Sequence, residues 1–339
     1  MELLQSLKTL SDAVGVGGLT GAADAVEAML RALGCETERD AMGSVTGWRR
    51  CSKKDAPVLM LEAHIDEVGL MVTGVDDAGF VRVAACGGVD LRALPAAEVL
   101  IHTTNGPLHG VACSIPPHLL GEEKGMLPPL TEMGVDVGLD AKKARKRIVP
   151  GDRVSFRPNF QALNDRRVSG KSLDDRAGVA AVLRCLELLA DGEPAYNVAA
   201  VFAVQEELGC RGSAAAAYRI APDAAIAVDV SFGHTPDADR SKCGALGAGP
   251  MLGWAPGLDD GMTRKLKTLA AKAGIALQDE VMGGETGTDA DSIADARDGV
   301  RTALLSIPLR YMHTPVEVID LRDVEATARL MAEYACKGL

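Results

Sequence analysis

A chain of 339 residues is too long for most single compact cores and points to two domains, or to one core carrying a large insertion. Its hydrophobic content of 47% is ample for a globular interior, and with aromatics at only 3% that interior must be built from Ala, Val and Leu. The net charge of −11 argues against nucleic acid as a partner, because phosphate binding needs a basic surface.

The opening stretch Met1 to Leu7 has no basic n-region and no long apolar segment, so no secretory signal is expected. No run reaches transmembrane length, and no membrane partner is expected. The eight cysteines (Cys35, Cys51, Cys86, Cys113, Cys185, Cys210, Cys243, Cys336) are scattered without a CxxC. That usage predicts free thiols in a reducing cytoplasm. Leu3 to Ala13 has helical apolar spacing, and Thr20 is placed to cap a second helix running to about Leu33 before Gly34. Pro57 to Leu61 is a continuous apolar run of the kind found in central strands buried on both faces, and it delivers His64 at its C-terminal end. From about Leu70 to Asn164 the texture changes. Short β-like pieces, such as those over 79–83, 98–102 and 152–156, are separated by Gly, Pro and Asp turns. This predicts a small all-β barrel or sandwich inserted into the core, with a loop around Pro116 to Met133. Beyond it, Asp175 to Leu189, Asp259 to Ala273 and Leu321 to Ala335 are expected as helices. They alternate with apolar runs over 198–204, 224–228 and 303–307. The predicted fold class is therefore α/β: a mixed, mostly parallel sheet with helices on both faces, plus an inserted small all-β domain. The catalytic domain is expected over 1–69 and 165–339, and the insertion over 70–164.

Each apolar run leads into an acidic or histidine motif, and ligands in open α/β sheets gather beyond the strand C-termini. The motifs are Glu62-Ala63-His64-Ile65-Asp66-Glu67, Leu173-Asp174-Asp175-Arg176, Gln205-Glu206-Glu207-Leu208-Gly209, Ala227-Val228-Asp229-Val230 and Tyr311-Met312-His313-Thr314-Pro315. Together they offer two imidazoles and a surplus of carboxylates, the ligand set of two divalent ions bridged by one carboxylate. Such a pair can make hydroxide from water at neutral pH and polarise a carbonyl, which predicts a di-metal hydrolase. Imidazole and carboxylate ligands suit zinc, with cobalt or manganese as substitutes. Asp66, two residues past His64, is placed to hold the second ring nitrogen of that histidine. Adjacent side chains on an extended backbone diverge, so Glu206 and Glu207 can address a water and a metal respectively. Asp175 either caps the helix that begins there or belongs to the site. Arg176 is expected as a structural salt-bridge partner and Cys210 as a small loop hydrophobe. His102, His109, His118 and His234 read as ordinary surface or packed histidines.

In the order AHIDEVG, GKSLDDRAG, VQEELGCRG, VDVS, GTDA and IPLRYMHTPVEVID, the chain resembles the metallo-aminopeptidases that include the glutamyl and tetrahedral aminopeptidases, some of them labelled endoglucanase M. The resemblance covers essentially the whole chain, and PVEVID and the DDR are its most specific parts. Related dipeptidases and deacylases usually follow the bridging Asp with Lys-Gly instead. The resemblance implies that His64 and Asp229 bind one metal, Glu207 and His313 the other, and that Asp174 bridges them. It implies Glu206 as general base and Asp66 as the residue that orients His64. It also implies a cis Asp174–Asp175 peptide, a pocket bordered by the glycine-rich loop around Glu285 to Asp289, and short peptide substrates. Dimers through the inserted domain, assembling into a hollow dodecamer, complete what it implies. Two alternatives are a different hydrolase on the same fold (an amidohydrolase, a deacylase or a glucanase) and a non-catalytic scaffold. Glycoside hydrolysis normally uses two carboxylates and no metal pair. A decayed site would be expected to lose a ligand or the base, and here all are present.

Overall fold

The computed structural model describes residues 2–53, 55–119 and 128–338. Its main sheet has eight strands in the spatial order Glu36–Arg39, Val45–Arg49, Asn197–Ala203, Val58–His64, Ala224–Phe232, Thr302–Leu309, Met251–Trp254 and Gln278–Val281. The middle strands Asn197–Ala203, Val58–His64, Ala224–Phe232 and Thr302–Leu309 run parallel, and antiparallel pairings flank them on both sides. The strand Val58–His64 lies in the middle of this parallel set and alternates between two apolar layers. Leu59, Leu61 and Ala63 pack with the helices Leu3–Asp12, Leu173–Leu188 and Leu321–Lys337 on one face. Met60 packs with Ala216, Ala217 and Ile293, from the helices Arg211–Ile220 and Asp289–Ala294, on the other. Burial on both faces is why the strand reads as one uninterrupted apolar run instead of an alternating one.

The low aromatic content shows in the helix Leu173–Leu188, where alanines and valines are buried all round beneath the sheet. Small side chains let this helix sit close to both the sheet and the C-terminal helix. It opens irregularly: Asp174 and Asp175 are not helical, and the peptide between them is cis. Asp175 then accepts a hydrogen bond from the Gly178 amide at 2.9 Å, so it caps the helix that follows. A Cβ on Gly178 would lie 2.3 Å from the Asp175 carboxylate, which explains the glycine there.

The expected insertion forms a closed barrel of the strands Gly69–Val75, Val81–Cys86, Gly134–Asp136, Gly106–Ala112, Glu98–Thr103 and Arg153–Phe156. It has its own core of Leu70, Val72, Val81, Ile101, Val135 and Val154 among others. Gln161–Ala162, within the 70–164 span, instead joins Arg167–Gly170 and Glu317–Asp320 in a small antiparallel sheet. Of the loop expected around Pro116 to Met133, residues 120–127 lie outside the described residues. Among the described residues no helix is long and apolar enough to cross a membrane.

One expectation needs correction. Among the described residues Arg176 is structural but makes no salt bridge; its guanidinium serves backbone carbonyls. Fully buried, it donates to the carbonyls of Leu10 at 2.5 Å, Ala13 at 3.0 Å and Ile65 at 2.6 Å. The planar fork of donors ties the end of the first helix to the turn that follows His64. Arg176→Met would take the donor from the Ala13 and Ile65 carbonyls, at ~1–3 kcal/mol for each buried group, whereas the Leu10 carbonyl would keep the Ala13 amide. The unfolding free energy is expected to fall by about 3 kcal/mol or more. A urea midpoint matching that of the wild type, at equal slope, would contradict this.

Candidate active site

The ends of the parallel strands bring the sequence motifs to one place. His64 closes its strand, and Asp174 stands at the irregular start of the buried helix. His64 Nε2 lies 3.1 Å from Asp174 Oδ1, and His313 Nε2 lies 3.3 Å from Asp174 Oδ2. One carboxylate thus meets two imidazoles, one with each oxygen. His313 Nε2 is also 3.4 Å from Glu207 Oε1. Donor atoms of His64, Asp174 and Glu207 all fall within 4.8 Å of one another, close enough to share a cation.

Each of these groups is held from behind. Asp66 faces His64 Nδ1 at 3.5 Å and accepts the backbone amides of Glu206 at 3.1 Å and Glu207 at 3.2 Å. A single buried carboxylate therefore sets both an imidazole and the turn bearing the two glutamates. His313 Nδ1 lies 2.8 Å from the Gly88 carbonyl, which comes from the inserted segment. Glu206 and Glu207 line a cavity of about 660 Å³ together with Asp174, Asp229 and His313. Glu206 accepts from Cys210 Sγ at 3.5 Å. Asp229 differs from expectation in position: it lies inside the strand Ala224–Phe232, which continues three residues past it. The strand runs on because its parallel neighbour Thr302–Leu309 pairs with it as far as Phe232. Asp229 shares the cavity wall, and its carboxylate accepts the Val230 amide at 2.7 Å. The glycine-rich loop does border this cavity, through Glu285, Thr286, Gly287 and Thr288.

The electrostatics of the cluster are those of a cation site. Burial opposes the charged form of Asp174, but His313 and His64 outweigh it and hold that carboxyl well below the usual range. Burial alone would lower His313, yet Asp174 and Glu207 push it up to about 9. Burial, and then the Asp174 charge, push Glu207 up to about 8. Burial and then Asp175 raise Asp229 well above the ordinary carboxylate range. A divalent ion bound here would displace the protons that such raised groups hold. The donor set of neutral imidazoles and carboxylates fits zinc or a similar divalent ion.

Sequence reasoning missed Glu317. Fully buried, it accepts the amide of Asp174 with Oε2 at 3.1 Å and the amide of His313 with Oε1 at 2.9 Å. The signal available was an acid four residues after His313, opening a strand whose other residues are buried. Lys171 was missed as well. Its buried ammonium pairs with Glu67 at 2.7 Å, and Glu67 also accepts the Gly15 amide at 2.8 Å.

Comparison with known proteins identifies the family and the fold. The family model described as M42 glutamyl aminopeptidase matches residues 43–330. The lysyl aminopeptidase of Pyrococcus furiosus is 35% identical over 96% of this chain and 94% of its own length. The aminopeptidase APDkam598 from the archaeon Desulfurococcus kamchatkensis superposes with a TM-score of 0.92 at 33% identity, covering 98% of this chain and 94% of that one. The TET1 peptidase of Pyrococcus horikoshii, which can assemble into a tetrahedron or a large octahedral shell, gives 0.85 at 30% identity, with 99% and 100% covered. The chain belongs to the M42 glutamyl aminopeptidase family and is a peptide hydrolase.

Because Glu317 anchors the backbone of two cluster residues at once, its removal should loosen the site without touching a donor atom. Glu317→Ala is expected to weaken divalent-ion binding about 10–100-fold, the usual effect of losing such a support. Competition against a chromophoric chelator measures this. Wild-type affinity in a folded variant would show that the two amides need no common acceptor.

Proposed function

We propose that the chain removes N-terminal residues from short peptides with two divalent ions, zinc in the first instance and cobalt or manganese as substitutes. The observation that supports this most is the Asp174 carboxylate, with one oxygen toward His64 and the other toward His313. In this reading His64 and Asp229 would hold one ion and Glu207 and His313 the other, with Asp174 shared between the two. When bound, the ions supply an acidified water and a Lewis acid for the scissile carbonyl.

The rest of the work belongs to the protein's own side chains. Asp66 orients His64 in this reading, because its carboxylate stands 3.5 Å from the ring nitrogen that faces away from Asp174. Glu206 is the general base: it takes the proton of the attacking water and passes it to the departing amine. Its position in the cavity wall favours this, as does a pKa raised chiefly by burial, since a carboxylate that binds protons more readily is the better acceptor. The Glu206 backbone is held by Asp66, so the same carboxylate orients a ligand and the base.

The barrel expected over 70–164 serves, in this proposal, as the unit of self-association, forming dimers that close into a dodecamer around the active sites. TET1 of Pyrococcus horikoshii has been solved as a dodecamer. Exposed Val111, Ile115, Leu119 and Val149 in that segment offer apolar surface for a partner copy. Enclosure would admit short, unfolded peptides and exclude the termini of folded proteins. All eight cysteines are free, in keeping with work in a reducing cytoplasm.

Dialysis against a chelator is expected to abolish hydrolysis of aminoacyl amides, and added zinc, cobalt or manganese to restore it. Glu206→Gln should keep bound metal while losing roughly 10²–10⁴-fold in kcat. Near-normal turnover in either test would remove the metal or the base from the mechanism. Light scattering on the purified protein should give the mass of a closed multimer. A monomer that still cleaves peptides would refute enclosure and leave the chemistry standing.

A further inference from the structure

We infer that Glu280 makes this cavity selective for peptides whose N-terminal residue carries a cationic side chain, lysine or arginine; the inference rests on the aminopeptidase reading above. Glu280 stands in the edge strand Gln278–Val281, where its register partner is Gly253. The strand of Gly253, Met251–Trp254, lies between Glu280 and the strands that carry Ser306 and Ser231. Across it, Glu280 Oε2 accepts from Ser306 Oγ at 2.9 Å, while Oε1 accepts from Ser231 Oγ. Ser306 is the register partner of Asp229. Ser231 follows Asp229 by two residues on the same strand, hence on the same face, roughly 7 Å further along. The two serines thus fix a carboxylate one side-chain step from the hydrolytic cluster, in the wall of the same cavity.

Both donors to Glu280 are neutral hydroxyls. They orient the carboxylate without cancelling its charge, and its remaining lone pairs are free for a cation. The surrounding wall has the same sign. Glu285 and Asp291 line the cavity too, and neither lysine nor arginine is among its described lining residues. Asp291 accepts only backbone amides there, from Thr286 at 2.8 Å and Gly287 at 3.0 Å. Two divalent ions would offset the charges of Asp174, Glu206, Glu207 and Asp229, and the three outer carboxylates would still be uncompensated. A glutamyl or aspartyl side chain entering the cavity would meet like charge. A lysine ammonium or arginine guanidinium would instead form a charge-assisted bond with Glu280. Met282, Phe232 and Met312, also in the wall, supply apolar surface for the aliphatic stem of such a side chain.

The test compares kcat/KM for the p-nitroanilides of lysine, arginine, leucine and glutamate, with zinc or cobalt present. The wild type is expected to favour lysine and arginine over leucine, with glutamate poorest. Glu280→Gln should lower the lysine-to-leucine ratio about tenfold or more, mainly through KM, the effect of losing a bond to a charged group. Glu280→Asp keeps the charge and should retain the wild-type order. Added salt should reduce the lysine preference of the wild type while leaving leucine less affected. A wild type that favours leucine or glutamate, or a ratio unmoved in Glu280→Gln, overturns the inference. Hydrolysis without cation preference would reject the role of Glu280 alone, whereas no hydrolysis of any of the four would reject the aminopeptidase reading with it.

Discussion

A carboxylate placed between two imidazoles is the constraint from which the rest of this structure follows. Asp174 can meet His64 with one oxygen and His313 with the other only if three distant parts of the chain arrive together. The parallel sheet solves the first part of that problem, since parallel strands end on the same edge and carry their ends to one side. The second part is electrostatic. Asp174, Glu206, Glu207 and Asp229 crowd one cavity wall, and their charges would repel one another without cations. The neighbouring carboxylates raise His313 to about 9, and burial with the Asp174 charge raises Glu207 to about 8, so a cation bound here would displace protons.

Fixed positions need anchors, and these are buried polar groups that the apolar interior would otherwise disfavour. Asp66, Glu317, Glu67, Lys171 and Arg176 are all buried. None is left to face the low dielectric alone. Glu67 and Lys171 pair with each other, while Arg176 spends its donors on three carbonyls. Asp66 and Glu317 each accept two backbone amides from segments that carry site residues. Backbone amides are the right partners for this purpose. They hold the position of the chain and leave the side-chain atoms of the cluster free for a cation.

Much of this was legible in the amino-acid sequence, for physical reasons that can be named. A strand buried on both faces must be apolar throughout, so Val58–His64 and Asn197–Ala203 announced themselves, and the polar residues that follow them stood out as chemistry. The barrel was legible through its turns. What stayed hidden were groups whose meaning depends on contacts distant in the chain. Glu317 looks like any acid at the start of a strand until the amides of Asp174 and His313 are seen to converge on it. Arg176 suggested a salt bridge because charge is visible in a sequence, whereas carbonyls are present at every residue and carry no signal. Glu280 was equally hidden, since its role depends on serines in two other strands.

The inserted barrel is not a passive appendage to this site. Gly87 and Gly88, just past its strand Val81–Cys86, run directly against the cluster. Gly87 adopts φ +77°, and a Cβ there would lie 3.1 Å from that of Glu207. A Cβ on Gly88 would come within 3.0 Å of His313 Nδ1, the same nitrogen that faces the Gly88 carbonyl at 2.8 Å. Only bare backbone can approach two cluster residues this closely. In the next turn, the Asp90 amide donates to the carbonyl of His313 at 3.2 Å. The ring of His313 is therefore aimed by a segment that belongs to the barrel side of the molecule. Its main chain is held from the opposite side by Glu317. A displacement of the barrel relative to the sheet would turn this imidazole away from Asp174.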